Sequence, residues 1–269
     1  MILTNPVAAA REVLGDRLAA VLIFGSYARP QDASPLSDVN IAIIASNKPS
    51  PIERIGIYSM LPSPASPLVI GLEELHTLWL KGDFIAHMLH ADSKALYLTS
   101  RAADLLSDPP PVTEKTTGYL RRYSASALGI ALENHLARRW GGSLNYSYRG
   151  YRAAARFVAA AKYSKIPFPD SEVIAFLSRR KQGAVEYRRL RALRRLGGGE
   201  RESLSALEIA ASGVARLLGV ERFEVDGVLE RLRGKRVGVV RVVEENGSLR
   251  VYAGIVEKSG GLRENVIWP

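Results

Sequence analysis

The run Asp108-Pro109-Pro110-Pro111 divides this chain into two stretches of different pattern. Three consecutive prolines fix φ and remove three N–H donors, so neither a helix nor a central strand continues through them. Before the run, strand-like and helix-like pieces alternate. After it helical spacing takes over, and the chain finishes in β-rich segments. Chains built this way place an α/β layer and a helical bundle in separate cores.

The first stretch reads as a helix over Pro6 to Leu18, a buried strand over Ala20 to Phe24, a loop holding Pro30 and Pro35, and a second strand over Asp38 to Ala45. Five prolines from Pro49 to Pro67 predict irregular backbone, followed by a strand over Leu68 to Leu72. Helical spacing then covers Glu73 to Leu80 and Phe84 to Leu89. Beyond the prolines, helices are expected over Thr116 to Trp140, Tyr146 to Tyr163, Ser171 to Arg180 and Ala184 to Leu196. Gly197 to Gly199 reads as a hinge and Ser203 to Leu218 as a further helix. Val237 to Val243 and Ser248 to Val256 flank Asn246-Gly247, the dipeptide that most favours a hairpin turn. The class is therefore α+β, with three expected parts: an α/β domain with a mixed sheet over 1–108, a basic helical domain over 112–196, and a helix plus β-hairpin over 200–269.

At 269 residues the chain has room for two ordinary cores without staples. Its 47% apolar and 24% charged residues do not fit disordered, collagen-like or coiled-coil classes. Apolar runs such as Ile41 to Ala45 fall far short of the roughly 18 residues that a membrane span needs. With no cysteine, disulfides, thiolate metal sites and cysteine nucleophiles are excluded. No leader-like pattern opens the chain, so a cytoplasmic location without membrane contact is expected.

The net charge of +10 is unevenly placed. Residues 1–111 carry 8 basic and 11 acidic groups, residues 112–202 carry 19 and 7, and residues 203–269 carry 10 and 9. Excess positive charge thus belongs to the middle. There Arg149, Arg152 and Arg156 recur at helical spacing as one stripe, beside Tyr148, Tyr151 and Val158 on the adjacent face. As a functional surface the stripe would contact RNA or another polyanion; as a plain one it is a solvated helix face.

The stretch richest in chemistry is Phe24-Gly25-Ser26-Tyr27-Ala28-Arg29, followed by Ser37-Asp38-Val39-Asn40. A strand ending in Gly-Ser brings backbone N–H groups and a hydroxyl to a place where no Cβ obstructs an anion. Arg29 adds a guanidinium fork suited to phosphate. On the second strand, positions 38 and 40 share a face because side chains alternate. Oxygen ligands on that face, opposite a phosphate cradle, suit a Mg²⁺-bound triphosphate. The plain alternative is an ordinary strand-to-loop turn with Asp38 as a cap.

This pattern resembles the signature of the polymerase-β-like nucleotidyltransferase superfamily, in which Gly-Ser is followed by Asp-x-Asp on a strand and a third carboxylate on a neighbouring one. It is most similar to the small prokaryotic branch, often coupled to a HEPN or kanamycin-nucleotidyltransferase-like helical domain. The resemblance runs from Val21 to about Leu98, with Phe84 to Leu98 similar to that family's closing helix. It extends more loosely through Asn145-Tyr146-Ser147-Tyr148-Arg149 and Ile166-Pro167. It implies that Gly25, Ser26, Arg29 and Ser37 hold a nucleoside triphosphate, that Asp38 ligates Mg²⁺, and that Asp38 and Asn40 occupy the catalytic positions.

Three departures alter the expectation. The second acid is Asn40, Arg29 is followed by Pro30 instead of Gly, and the strand Pro67-Leu68-Val69-Ile70-Gly71-Leu72 contains no acid. Glu73 or Glu74 could substitute only in a shifted register. An amide at position 40 removes one negative charge from the metal site, and a missing third carboxylate removes the usual activator of an attacking hydroxyl. The expected function is nucleotide binding with weakened or lost catalysis. Two alternatives stay open: an active enzyme moving a nucleoside monophosphate to a protein or small-molecule hydroxyl, and an RNA-binding regulator, with a homodimer also in view. His87 and His90 share a helix face but lack a third ligand, and His135 lies too far from Arg121 and Arg122 to form the HEPN ribonuclease pattern.

Overall fold

The computed structural model describes residues 5–33, 38–61, 63–257 and 260–268, with only the backbone of Pro30. The chain divides into two compact units, Met1–Thr116 and Thr117–Pro269. The division falls inside the first turn of a helix, a few residues after the prolines. The architecture is α+β, as the residue pattern predicts.

In the first unit, Asn5 caps α1 (Pro6–Leu14) by accepting from the N–H of Val7, and a 3-10 turn over Gly15–Arg17 leads into β1 (Leu18–Phe24). The sheet continues with β2 (Val39–Ala45), β3 (Ala65–Gly71) and β4 (Ser93–Leu98), in the spatial order β3-β2-β1-β4. β2 runs antiparallel to β1 and parallel to β3, while β4 is antiparallel to β1. The sheet is thus mixed. The near-continuous apolar run of β2 reflects burial on both faces. Val39, Ile41 and Ile43 meet α1 and α2 (Pro51–Met60), whereas Ala42 and Ile44 pack in the core shared with α3 (Leu72–Leu80), α4 (Phe84–Ala91) and α5 (Ser100–Ser107).

Two expectations need correction here. The proline-rich stretch after Pro49 contains the whole of α2. Pro51 sits in the first turn, where its missing N–H costs nothing, and Ser50 and Glu53 form a reciprocal capping box. The stretch Phe84 to Leu98 is not one closing helix: α4 stops at Ala91 and β4 completes the sheet beyond Asp92.

The second unit holds the rest of α6 (Glu114–Leu136), with α7 (Trp140–Tyr163), α8 (Asp170–Arg179), α9 (Ala184–Leu196), α10 (Glu200–Leu218) and α11 (Val225–Leu232). A three-stranded antiparallel sheet follows, built from β5 (Val237–Glu245), β6 (Ser248–Val256) and β7 (Leu262–Trp268). The region 200–269 is not a separate domain. Val240, Val242, Leu249, Val251 and Ile267 share one buried core with Leu128, Tyr148, Tyr151 and Val214 from the helices. The break expected between Trp140 and Tyr146 falls instead at Arg138, whose φ of 57° ends the preceding turn, so Gly141 and Gly142 lie within α7.

The hairpin forms where Asn246-Gly247 predicts it, with φ values of 51° and 78° at its tip. A Cβ on Gly247 would meet nothing within 4 Å, so a side chain there acts on the backbone alone. Gly247→Val is expected to destabilise the second unit by about 1–2 kcal/mol, the cost of placing a β-branched residue in the left-handed region. Urea titration followed by circular dichroism checks this, and an unchanged midpoint would contradict it. Among the described residues no helix is long and apolar enough to cross a membrane.

Candidate functional site

The Gly-Ser turn and Asn40 meet at one end of the first sheet. Phe24, the last residue of β1, pairs with Asn40 on β2 and with Ser93 on β4. Gly25 then turns with φ of 77°, and a Cβ added there would lie 3.3 Å from the Asn40 amide nitrogen. Only glycine meets both demands, a left-handed backbone and a close neighbour. A 3-10 turn over Gly25–Ala28 carries Ser26 at its start, half-buried. The two halves of the sequence motif are therefore adjacent in space. Asp38, exposed just before β2, shares the Asn40 face by alternation, and Ser37 lies outside the described residues.

The Arg29 guanidinium is engaged by two carboxylates. Its Nε donates to Asp32 Oδ2 at 2.8 Å, and its Nη1 pairs with Asp92 Oδ1. Asp32 and Asp92 are only 2% and 4% exposed. Asp92 also caps α4 through its own N–H to Met88, while its carbonyl accepts the Gly25 N–H at 2.9 Å. One guanidinium between two buried carboxylates thus ties the Gly-Ser turn to the end of α4. The Gly25 N–H is used within the protein. Asp32 was visible in sequence as an Arg29 neighbour at i+3. Asp92 carried no such signal, because its position depends on α4 ending where it does.

The register removes the shifted third carboxylate. Asn40 pairs with Ser66 on β3, and Leu68 is the next residue of β3 on that face, so neither position supplies an acid. Glu73 and Glu74 follow Gly71, which pairs with Ala45 at the other end of β2. Five residues of strand separate Ser66 from Gly71, about 16 Å at the usual rise. Glu74 is moreover engaged at the start of α3, accepting from the Gly71 N–H at 2.9 Å and pairing with Arg54 at 3.0 Å. Among the described residues of β2, β3 and the residue before β2, this end of the sheet offers the Asp38 carboxylate, the Asn40 amide and the Ser66 hydroxyl. They do not fit a two-metal centre, which needs more carboxylates to hold two hard cations. Among the described residues no group of three His, Asp or Glu is placed to hold a metal ion.

In the second unit, the Arg149, Arg152 and Arg156 stripe is not a solvated face. Arg156 is 5% exposed and donates to the carbonyls of Pro167 and Phe168 at 2.9 and 2.7 Å. Arg152 donates to the Tyr148 hydroxyl at 3.1 Å and lies 4.9 Å from its ring centroid. Arg149 lies 5.4 Å from the Tyr146 ring centroid. The physical reason is the Pro167-Phe168-Pro169 segment, which returns against α7 with carbonyls that its prolines cannot help to satisfy.

Asp170, which follows that segment, is the centre of a buried network. It accepts from the Tyr148 hydroxyl and, at 2.6 Å, from Tyr187, and its other oxygen lies 2.9 Å from Arg191 Nε. Burial alone would raise its carboxyl, but Arg152, the two tyrosine hydroxyls and Arg191 together hold it below the usual carboxylate range. Burial pushes the Tyr187 hydroxyl well up. Arg194, 4% exposed, donates to Asn145 Oδ1 at 2.8 Å and packs 4.7 Å from the Tyr148 ring centroid. His87 and His135 are buried, the latter with Nδ1 2.8 Å from Ser203 Oγ, and burial lowers both.

No family model matches the chain, and no curated protein matches it. Among solved structures it is similar to a spectinomycin adenyltransferase, AAD(9), from Enterococcus faecialis, crystallised with ATP and spectinomycin. That similarity spans 77% of this chain and 96% of the other at 14% identity, with a TM-score of 0.48. A substituted form of the toxin–antitoxin MntA-HpeT is 19% identical over 39% of this chain and 80% of that one, with a TM-score of 0.30. A nucleotidyltransferase-like protein from Exiguobacterium sibiricum is 11% identical over 84% and 75%, with a TM-score of 0.28.

Proposed function

We propose that the first unit is a nucleotidyltransferase-type domain that binds a nucleoside triphosphate and has weakened or lost the transfer step. The observation that carries this reading is the closeness of the two motif halves, with Gly25 placed so that an added Cβ would lie 3.3 Å from the Asn40 amide nitrogen. In this reading Ser26 offers its hydroxyl and backbone N–H to phosphate, Arg29 holds the turn from behind, and Asp38 faces any cation carried by the triphosphate. An amide at position 40 and Ser66 opposite it leave too little negative charge to gather a metal pair. Nor does β3 carry a carboxylate to take a proton from an attacking hydroxyl. Binding then depends little on Mg²⁺.

Calorimetric titration of ATP with and without Mg²⁺ tests this. Similar affinity under both conditions is expected, and Asn40→Asp should make binding at least about tenfold tighter with Mg²⁺ than without it. A full carboxylate beside a divalent cation is worth more than the roughly 1.4 kcal/mol this requires. Asn40→Asp alone should not restore transfer, because β3 still lacks an acid. Robust Mg²⁺-dependent transfer by the unaltered protein, abolished by Asp38→Ala, would overturn the degenerate reading.

A further inference from the structure

The end of α7 and the face of α8 enclose a groove of about 520 Å³, within the range of ligand-sized cavities. Its floor is apolar, formed by Ala159 and Pro167, which are buried, and by Phe176. Tyr163 stands at the rim as the last residue of α7, 57% exposed, before Ser164 closes the helix in the left-handed conformation. Its ring is fixed on two sides. Phe176 meets it edge-on at 6.1 Å, and the Arg180 guanidinium lies 5.6 Å from its centroid and donates to its hydroxyl. A large aromatic ring that is held in place yet open to water is a ready stacking surface.

The surroundings are strongly cationic. Lys165, Arg179 and Arg180 line the groove, Lys162 and Lys181 are the sequence neighbours of its lining residues Tyr163 and Arg180, and Glu172 is the one carboxylate in its lining. Among the described residues, Lys162, Lys165, Arg179 and Lys181 are exposed and form no ion pair. Their charge is left for a partner, unlike that of the half-buried Arg152 and the buried Arg156.

We propose that this groove binds single-stranded nucleic acid, with one base stacked on Tyr163 and the flanking phosphates on Lys165 and Arg179. A duplex keeps its base faces covered and cannot use the ring. A mononucleotide would leave Lys162 and Lys181 unengaged, whereas a strand carries phosphates past both. The proposal is independent of the nucleotide site in the first unit, since none of its residues belongs to that unit.

Fluorescence anisotropy with a labelled single-stranded RNA of about a dozen nucleotides tests it, matched to the site sizes of stacking grooves. Binding should fall as salt rises. Lys165→Gln combined with Arg179→Gln should make the slope of log K against log salt shallower by about 1.4, two single-strand phosphate contacts. Tyr163→Ala should weaken binding about tenfold while Tyr163→Phe retains most of it. Because Lys165 and Arg179 are exposed, their variant decides the question even if Tyr163→Ala perturbs folding. Absence of binding at low salt, equal affinity for duplex, displacement by ATP at the same concentration as by unlabelled strand, or an unchanged salt slope in the double variant would each overturn it.

Discussion

Asp170→Ala should lower the stability of the second unit by about 3 kcal/mol, among the largest losses expected from one substitution in this chain. The carboxyl is 1% exposed, accepts from Tyr148 and Tyr187, and is ion-paired with Arg191. Removing it takes the shared acceptor from two buried hydroxyls and one negative charge from beside Arg152 and Arg191. The side chains of Arg152 and Arg191 keep 18% and 27% of their exposure, so water recovers part of the loss, and the lower end of the range for a broken buried pair applies. The pH dependence has a definite sign. A carboxyl held below its ordinary value contributes stability that is fully present above its unfolded pKa, about 3.9, and is lost as pH falls through the folded one. The gap between wild type and Asp170→Ala in urea titrations should therefore be constant from neutral pH down to about 4 and narrow only below it. A gap under about 1 kcal/mol at neutral pH, or one already closing at pH 6, would contradict this account.

That network also marks where sequence reading stops. Tyr148, Arg152 and Arg156 recur at helical spacing, and spacing alone assigns the arginines to solvent. What covers Arg152 and Arg156 is the return of Pro167-Phe168-Pro169 and Asp170 against α7, in contacts 18 positions apart for Asp170–Arg152 and 12 for Phe168–Arg156, which no periodicity encodes. By contrast β2 was legible, because an apolar run between turn residues needs no distant partner to be recognised. The hairpin at Asn246-Gly247 was legible for a similar reason, since the turn chemistry is local. Helix α2 was legible in principle but outweighed by its prolines. Ser50, Pro51 and Glu53 together spell a helix start, and proline in the first turn supports that start. β4 and β7 were missed because both lie at sheet edges, where charged and polar residues such as Lys94, Arg263 and Glu264 dilute the apolar pattern.

At the candidate site the same division holds, and it yields the other large effect. Gly25, Ser26, Asp38 and Asn40 were placed by their spacing, but Arg29 acts through two carboxylates that spacing does not connect. Arg29→Met keeps the length of the side chain and removes the charge that pairs with the buried carboxylates Asp32 and Asp92. The expected cost is about 3–5 kcal/mol, as for a buried pair broken on one side. For a unit of this size that lowers the melting temperature by at least about 10 °C. Arg29→Lys should fall between, because an ammonium retains the charge but cannot reach both carboxylates with one planar fork. Combining Arg29→Met with Asp92→Asn should cost less than the sum of the two single changes, since each removes the same interaction. Strict additivity, or a shift of only one or two degrees for Arg29→Met, would mean that the guanidinium does not hold the turn, and would return Arg29 to the role of a ligand contact. Phosphate binding provides the cross-check. If Arg29 supports the turn from behind, Arg29→Lys weakens nucleotide binding only as far as it loosens the Gly25-Ser26 backbone, so its losses in affinity and in stability should rise and fall together across substitutions at this position.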